Sequence, residues 1–370
     1  MSTVRPPGRQ LPFTVRIIGD GPAALATAIG LLQGGVAVRC RPPRRPATAS
    51  ALPPRADSLS PGGHALLARL GVAGAFAADG HLPCHAHACD WGPGGLRHLD
   101  FISHPQGSAW QVDRGRFDGR LRERALALGL QWEPPDGTEA APPVQAIVDA
   151  SGRSSHFARR QGARRLRGDR QLAWLASAPA AHAPGDGMSL VEATADGWWY
   201  SAPAPCGRWS LACFTDADLR PPPAQGHAGW LQRLAAAPRT LDRLIAHGVD
   251  ARHLALQPAR LLAADSSRLD RFCGSGWLAV GDAAMGFDPL SAHGLTVALQ
   301  SGLHAAQALI ALRDGDAQAL PAYAARLADA FDAYQRQRLA LYRDETRHAC
   351  HRYWQRRRHG GYDGTTSSSD

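Results

Sequence analysis

Not one of the 370 residues is a lysine, so all 41 basic side chains are arginines, against 32 acids. A net charge of +9 ordinarily invites a nucleic-acid partner. No helix-turn-helix, zinc-finger or RNP pattern accompanies it, and alanine, glycine and proline are abundant, so the charge reflects composition more than a basic binding face; no nucleic acid is expected. No apolar run approaches the roughly 18 residues of a membrane span, and the opening "MSTVRPPGRQLPFT" carries arginines without the apolar core of a secretion signal. The expectation is a cytoplasmic protein with no membrane partner. The seven cysteines are odd in number and scattered, which suits reduced thiols rather than a disulfide framework. Metal chemistry has one foothold, "HLPCHAHACDWG" at 81–92, with His81, Cys84, His85, His87 and Cys89. Its Cys-x4-Cys and His-x-His spacings match no zinc pattern and no second cysteine pair follows, so no metal is expected.

What is present begins at 14–40, "TVRIIGDGPAALATAIGLLQGGVAVRC": an apolar strand, a Gly-rich turn, an alanine-rich helix to Leu32, and a second strand after Gly34-Gly35. In that β-α-β unit Gly19 permits the tight turn, Gly21 lets the backbone approach a pyrophosphate, and Ala24 lets helix pack on strand, with the helix N-terminus facing the phosphates. One part is missing. An acid about 20 residues on should take the adenosine ribose hydroxyls, yet 39–46 reads "RCRPPRRP" and no acid follows until Asp57. Backbone and arginine then hold the ribose, or the cofactor binds weakly, or the slot takes the 2′-phosphate of NADP.

A second signal lies at 277–312, "WLAVGDAAMGFDPLSAHGLTVALQSGLHAAQALIAL". A strand ending at Val280 delivers Gly281 and Asp282, whose carboxylate can accept hydrogen bonds from a sugar-alcohol chain. The helix that starts near His293 aims free N–H groups at whatever lies beyond, where developing negative charge is stabilised. That suits FAD, with its pyrophosphate at Gly19–Ala24 and its ribityl chain at Asp282.

With "IVDASGRSS" at 147–155, the paired motifs resemble the FAD-dependent monooxygenase superfamily that contains para-hydroxybenzoate hydroxylase and the flavin-dependent tryptophan halogenases. The stretches "SAWQVDRGRFDGRLRERALALG" (108–129), "SLVEATADGWWYSAPAP" (189–205), "ACFTDADL" (212–219), "GDAAMGFDPLSAHG" (281–294) and "YRDETRHACHRYWQRRR" (342–358) are similar to the halogenase-like flavoproteins that mature quinone-cofactor amino-acid oxidases by hydroxylating a tryptophan of a partner protein. The GD-x5-DPL-x3-G signature is the most specific piece. The resemblance implies that Arg114 touches the cofactor, that Asp149 shapes the strand end near it, and that Pro289 and Gly294 line the isoalloxazine. His293 stands where glutamine is often found, as a surface residue or a flavin contact. Trp198, Trp199 and Tyr200 sit in one strand, as core or, with Trp199 as a candidate, stacked on an aromatic substrate. Glu192 is a structural hydrogen-bond acceptor or a general base.

The missing lysine acquires its meaning here. The halogenases use a lysine to hold or relay hypohalous acid, together with a W-x-W-x-x-P signature that stands here as "GWWYSAP" (197–203). Arginine stays protonated and spreads its charge over a fork, so it is no substitute, and a lysine-dependent halogenase is disfavoured. Oxygen chemistry remains: a reduced flavin and dioxygen give a C4a-hydroperoxide that transfers OH to an electron-rich ring when water is excluded. No second Gly-rich motif follows, so NAD(P)H binds transiently or a flavin reductase supplies reduced flavin.

The expected fold is α/β: a Rossmann-like FAD-binding domain of glutathione-reductase type (1–80, 113–165 and 265–315), an inserted, mainly antiparallel substrate sheet (81–112 and 166–264), a helical C-terminal cap (316–358, helical from 321) and a disordered tail (359–370). The expected function is hydroxylation of an aromatic side chain, tryptophan, on a peptide or protein partner. Two alternatives stand beside it: a hydroxylase or dehydrogenase of a small free aromatic, and a flavin-poor scaffold that binds a partner without chemistry.

Overall fold

The structure is a computed structural model and describes residues 13–43, 56–101, 103–134, 143–182, 187–205, 207–221, 226–250 and 260–358; the expected tail at 359–370 lies outside them. The strand Thr14–Ile18 runs into Gly19, whose φ of +134° only glycine adopts without strain and where a Cβ would sit 2.2 Å from the Ala150 carbonyl oxygen. Pro22 then opens the helix Pro22–Gln33, its fixed φ suited to a first turn, and Gly34 and Gly35 end it before the strand Ala37–Arg41. These strands lie inside a six-stranded sheet ordered Cys273–Gly274, Trp277–Ala279, Ala146–Asp149, Thr14–Ile18, Ala37–Arg41, Gln131–Trp132, parallel except for the first pair. Ile18 and Ala279 both register with Asp149, so the loops after three strands leave the sheet at one edge. That carboxyl edge is where open α/β sheets bind ligands.

The helix Gly294–Arg313 packs on Pro22–Gln33 with small residues in the seam. A Cβ on Gly302 would meet the Ala23 carbonyl oxygen at 2.7 Å, and one on Gly30 the Ala306 methyl at 2.8 Å. The two sequence motifs are thereby pressed together although they are far apart in the chain. By length and composition this helix alone among those described could cross a membrane, an exception to the sequence expectation. Its apolar character has another cause: 56% of the qualifying window is buried inside the protein.

Facing the site is a seven-stranded sheet ordered Arg260–Ala263, Gln171–Pro179, Arg208–Asp216, Gly197–Ala204, Ser189–Thr194, Ala86–Asp90, Leu96–Asp100. Side chains alternate between its faces. Trp199, Trp209 and Cys213 pack with Trp230, Leu234 and Leu244 of the helices Gly226–Ala235 and Pro238–Ala246. Trp198, Ala212 and Phe214 turn the other way. The C-terminal region departs from the single long helix read over 321–358. Helix Ala319–Asp344 stops at Glu345, extended at ψ 99°, and a short helix Arg352–Arg358 follows. The buried Glu345 carboxylate takes hydrogen bonds from the backbone N–H of Gly92 and Arg347, and these draw the chain out of helical register.

Candidate active site

A cavity of about 450 Å³ lies between the two sheets, and its wall joins both motifs: Gly21, Pro22, Ala23 and Ala24 from one, Asp282, Pro289 and Gly294 from the other. Two observations show that FAD fits the residues present. A Cβ on Gly21 or on Gly294 would meet nothing within 4 Å, so each glycine leaves room where a ligand can approach the backbone. Each also opens a helix: the first intrahelical bonds run from Leu25 to Gly21 and from Val297 to His293, so the N–H groups before them, among them those of Ala23 and Ala24 and of Gly294 and Leu295, have no partner within the helix. Such turns attract anionic groups. Between Pro289 and Gly294, Ala292 lines the cavity at φ +51°, a left-handed conformation costing a non-glycine residue about 1–3 kcal/mol and typical of ligand sites.

Asp282 presents a half-exposed carboxylate, 3.5 Å from the Arg153 guanidinium. Arg153 is anchored from behind by the backbone oxygens of Asp265 (2.6 Å) and Phe287 (3.1 Å). Arg165 donates to the Asp282 carbonyl at 2.9 Å; burial, and then the like charge of Arg153, lowers it to about 10, so it remains cationic at neutral pH. Arg114 is on the wall too, paired with Asp57 and Asp118.

The opposite wall is the substrate sheet: Ala173 and Leu175, Trp198 and Tyr200, Ala212 and Phe214 at alternate positions of three neighbouring strands, closed by Leu262 and Ala264. Alanines flanked by rings leave a flat apolar slot. Tyr200 adds one polar group there, its hydroxyl donating to buried Gln111 at 3.2 Å.

Several expected residues take other posts. Asp149, fully buried, accepts hydrogen bonds from Ser151 N and Oγ and from Ala158 N; it folds the loop that carries Ala150 and Arg153 and does not line the cavity. Gly281 is a packing position, where a Cβ would lie 2.7 Å from that of Ala23. Glu192 does not reach the cavity either: it caps the helix Pro238–Ala246, accepting from the Arg239 and Thr240 N–H groups and the Thr240 hydroxyl at 3.0, 2.7 and 2.6 Å. A general-base role is thereby corrected to a structural one. Replacing Glu192 with alanine is expected to cost about 1–3 kcal/mol of stability, because buried donors lose their acceptor, with flavin affinity unchanged in a titration of the folded variant. Trp199 is corrected likewise: it packs on Trp230, rings 5.2 Å apart, on the far face of the sheet. His293 is exposed, between the cavity residues Ala292 and Gly294.

Two contributors have no role assigned from the sequence, although both stand inside its motifs: Arg153 in "DASGRSS" and Asp288 in "GFDPL". Asp288, on the cavity wall, is held by Gln171 (3.2 Å), Arg338 (3.1 Å), Tyr342 (2.8 Å) and the Leu290 N–H (3.0 Å). The missing ribose acid also finds an explanation. Glu133 reaches the end of Ala37–Arg41 from just past the strand Gln131–Trp132, but both Arg16 and Arg41 pair with it at 2.9 Å. Of the 81–89 group, His81 accepts from Asp113 N, His85 meets Ser108, and His87 meets Ser189; among the described residues no three possible metal ligands converge.

No family model matches the chain. LodB of Marinomonas mediterranea, provisionally named an FAD-dependent oxidoreductase, is 26% identical over 288 residues, which span 72% of this chain and 76% of LodB. The peptidyl tryptophan dihydroxylase QhpG, essential for tryptophylquinone cofactor biogenesis, superposes with a TM-score of 0.76 at 26% identity, over 98% of this chain and 81% of its own. This chain is an FAD-dependent oxidoreductase with a halogenase-like fold. The fold extends to the flavin-dependent halogenase CmlS, with a TM-score of 0.75 at 22% identity over 95% of this chain and 68% of CmlS. In this oxidoreductase Gly21, Gly294 and Asp282 frame one side of the cavity, and the alanine-lined sheet forms the facing side.

Proposed function

We propose that this oxidoreductase is a monooxygenase that hydroxylates a tryptophan side chain presented by a peptide or protein. The observation that carries the reading is the continuity of one cavity from the FAD frame at Gly21, Asp282 and Gly294 to the flat apolar slot at Ala173, Leu175 and Ala212. A planar, electron-rich ring placed there lies across from the cofactor. Bound FAD, once reduced, supplies activation of dioxygen. The chain's own residues do the rest. Gly21–Ala24 and Gly294 hold the cofactor's anionic and ring portions, Asp282 and Arg114 orient it, and Trp198, Phe214 and Leu262 keep water from the reacting face, where an electrophilic oxygen would otherwise be lost. His293, at the rim, is the side chain placed to meet an entering substrate backbone.

A peptide-linked substrate is supported by the likeness to QhpG, whose name specifies a peptidyl tryptophan. Halogenation is disfavoured because the chain has no lysine. Electrons come from NAD(P)H binding transiently or from flavin reduced by a separate reductase. The described cysteines are all free thiols, in keeping with work in the cytoplasm. Reconstitution with FAD, anaerobic reduction and an oxygen pulse in the presence of a tryptophan peptide is expected to add oxygen to the indole, read by mass spectrometry. Protein that stays colourless after reconstitution defeats the reading, and turnover of free indoles or phenols with no peptide product replaces it with a small-molecule hydroxylase.

A further inference from the structure

Three tryptophans form a file whose capacity to give up electrons no step of the proposed hydroxylation uses. Trp198 belongs to the cavity wall, stacked on Phe214 with ring centroids 3.8 Å apart. It meets Trp91 at 6.4 Å, and Trp91 meets Trp354 at 4.9 Å. The three come from distant stretches, the substrate sheet, the turn after Ala86–Asp90 and the last helix, and none is more than 2% exposed. Trp354 lies against His348, their planes 28° apart, and His348 against the exposed His351. The file therefore runs from the cofactor cavity to a surface turn.

We propose that Trp198, Trp91 and Trp354 are an electron-donor chain through which a strong one-electron oxidant arising in the cofactor cavity is reduced from the protein surface. The inference rests on the reading that FAD and dioxygen react in this cavity. A peroxide-derived hydroxyl radical takes one electron from the Trp198 indole and one proton from solvent, becoming water. Trp91 returns an electron to the Trp198 radical cation, and Trp354 returns one to Trp91. A solvent thiol then gives Trp354 an electron and releases its proton, ending as a thiyl radical, and the chain is restored. Indoles yield electrons only to strong oxidants, so the chain stays idle while the cofactor is reduced in the ordinary way.

The surroundings give the chain a direction. The Trp198 Nε1–H has no hydrogen-bond partner among the described residues, so a cation on that ring is neither stabilised by an acceptor nor able to shed its proton. Trp91 and Trp354 donate theirs to the carbonyl oxygens of Leu341 (2.7 Å) and Thr194 (2.8 Å), whose partial negative charge stabilises a positive ring. The tyrosines of the cluster are poor carriers. Arg357 stands 3.7 Å over the Tyr353 ring, and Arg338 and Arg357 stand 5.0 and 5.5 Å from that of Tyr342. A phenol must also lose its proton to hold the vacancy, and burial raises both hydroxyls above their ordinary range.

The test uses the FAD-loaded protein. A blue laser pulse turns bound flavin into a strong one-electron oxidant, and transient absorption follows tryptophan radicals. Wild-type protein is expected to give a long-lived radical whose decay quickens with added thiol. Trp91→Phe and Trp354→Phe are expected to lower the long-lived yield about tenfold or more at matched FAD occupancy, whereas Trp230→Phe, a buried tryptophan on the opposite face, leaves it unchanged. Oxygen exposure of the reduced holoprotein without substrate supplies a second readout: oxidised residues, mapped by mass spectrometry, are expected at Trp354 and His348 in wild type and at Trp198 in Trp91→Phe. Equal radical yields and equal damage maps in wild type and variants overturn the chain while leaving the cofactor reading intact. Protein that takes up no FAD overturns both.

Discussion

Gly294→Val is expected to abolish flavin binding and leave the protein folded. The two halves of that result have separate causes. No atom lies within 4 Å of the place a Cβ would occupy, and Gly294 has no left-handed φ for a side chain to strain, so the helix Gly294–Arg313 can begin with valine at a stability change within about 0.5 kcal/mol. The space is free because it belongs to the cavity. Branched carbons there occupy volume that FAD needs, at a helix start whose N–H groups the ligand would otherwise meet. An affinity loss of about 100-fold or more, about 2.7 kcal/mol, should appear in a flavin titration, while chemical denaturation of the flavin-free protein should barely shift. Gly19→Ala is the contrast. Its Cβ would lie 2.2 Å from the Ala150 oxygen at φ +134°, and strain plus overlap should cost about 2–6 kcal/mol of folding stability. If Gly294→Val instead unfolded the protein while retaining flavin, the glycine would be structural and the cofactor frame would be misplaced.

That contrast shows what kind of information a sequence carries. Gly19, Gly21, Asp282 and Gly294 were legible because each answers a local geometric demand within one strand-turn-helix unit, and Ile18, Asp149 and Ala279 end their strands in register, which places those units side by side. Trp198 and Trp199 could not be told apart without the register of the sheet. Alternation sends one to the cavity and the other to the helices behind, and a shift of one residue would exchange them. Glu192 was ambiguous for a different reason: its partners, Arg239 and Thr240, are the start of a helix distant in the chain, and a buried carboxylate reads the same in sequence whether it caps or catalyses. Arg153 and Asp288 were passed over because their work is done through partners such as Phe287 and Arg338, which only the folded chain brings near.

Arg357→Met should be the most destabilising single change among the polar residues. The Arg357 guanidinium is buried, 2.6 Å from one Asp216 oxygen and 3.2 Å from the other, and it also donates to Gln171 at 3.2 Å. Removing one member of such a pair strands the other, a loss of about 3–5 kcal/mol, softened here because Arg356 still reaches Asp216 at 2.8 Å. Replacing both partners, Arg357→Met with Asp216→Leu, should recover much of that loss, since no carboxylate then remains without its counter-charge; a double variant no more stable than Arg357→Met would show that packing over Tyr353, not charge, is what the arginine supplies. Gln171 extends the consequence to the site. Its Oε1 accepts from Arg357 and Tyr353, and its Nε2 donates to Asp288, so loosening the last helix should also loosen the Asp288 loop on the cavity wall, and a flavin titration of the variant is expected to show weaker binding. Acid should act on the same pair. Burial opposes the Asp216 charge, but the hydrogen bonds and charges of Arg357 and Arg356 outweigh it and hold the carboxyl below its usual range. A folded value below the unfolded one makes the pair's contribution complete above about pH 4 and lost as pH falls through the folded value. The acid limb of wild-type stability should therefore be steeper than that of the double variant, which has no carboxylate at 216 left to protonate.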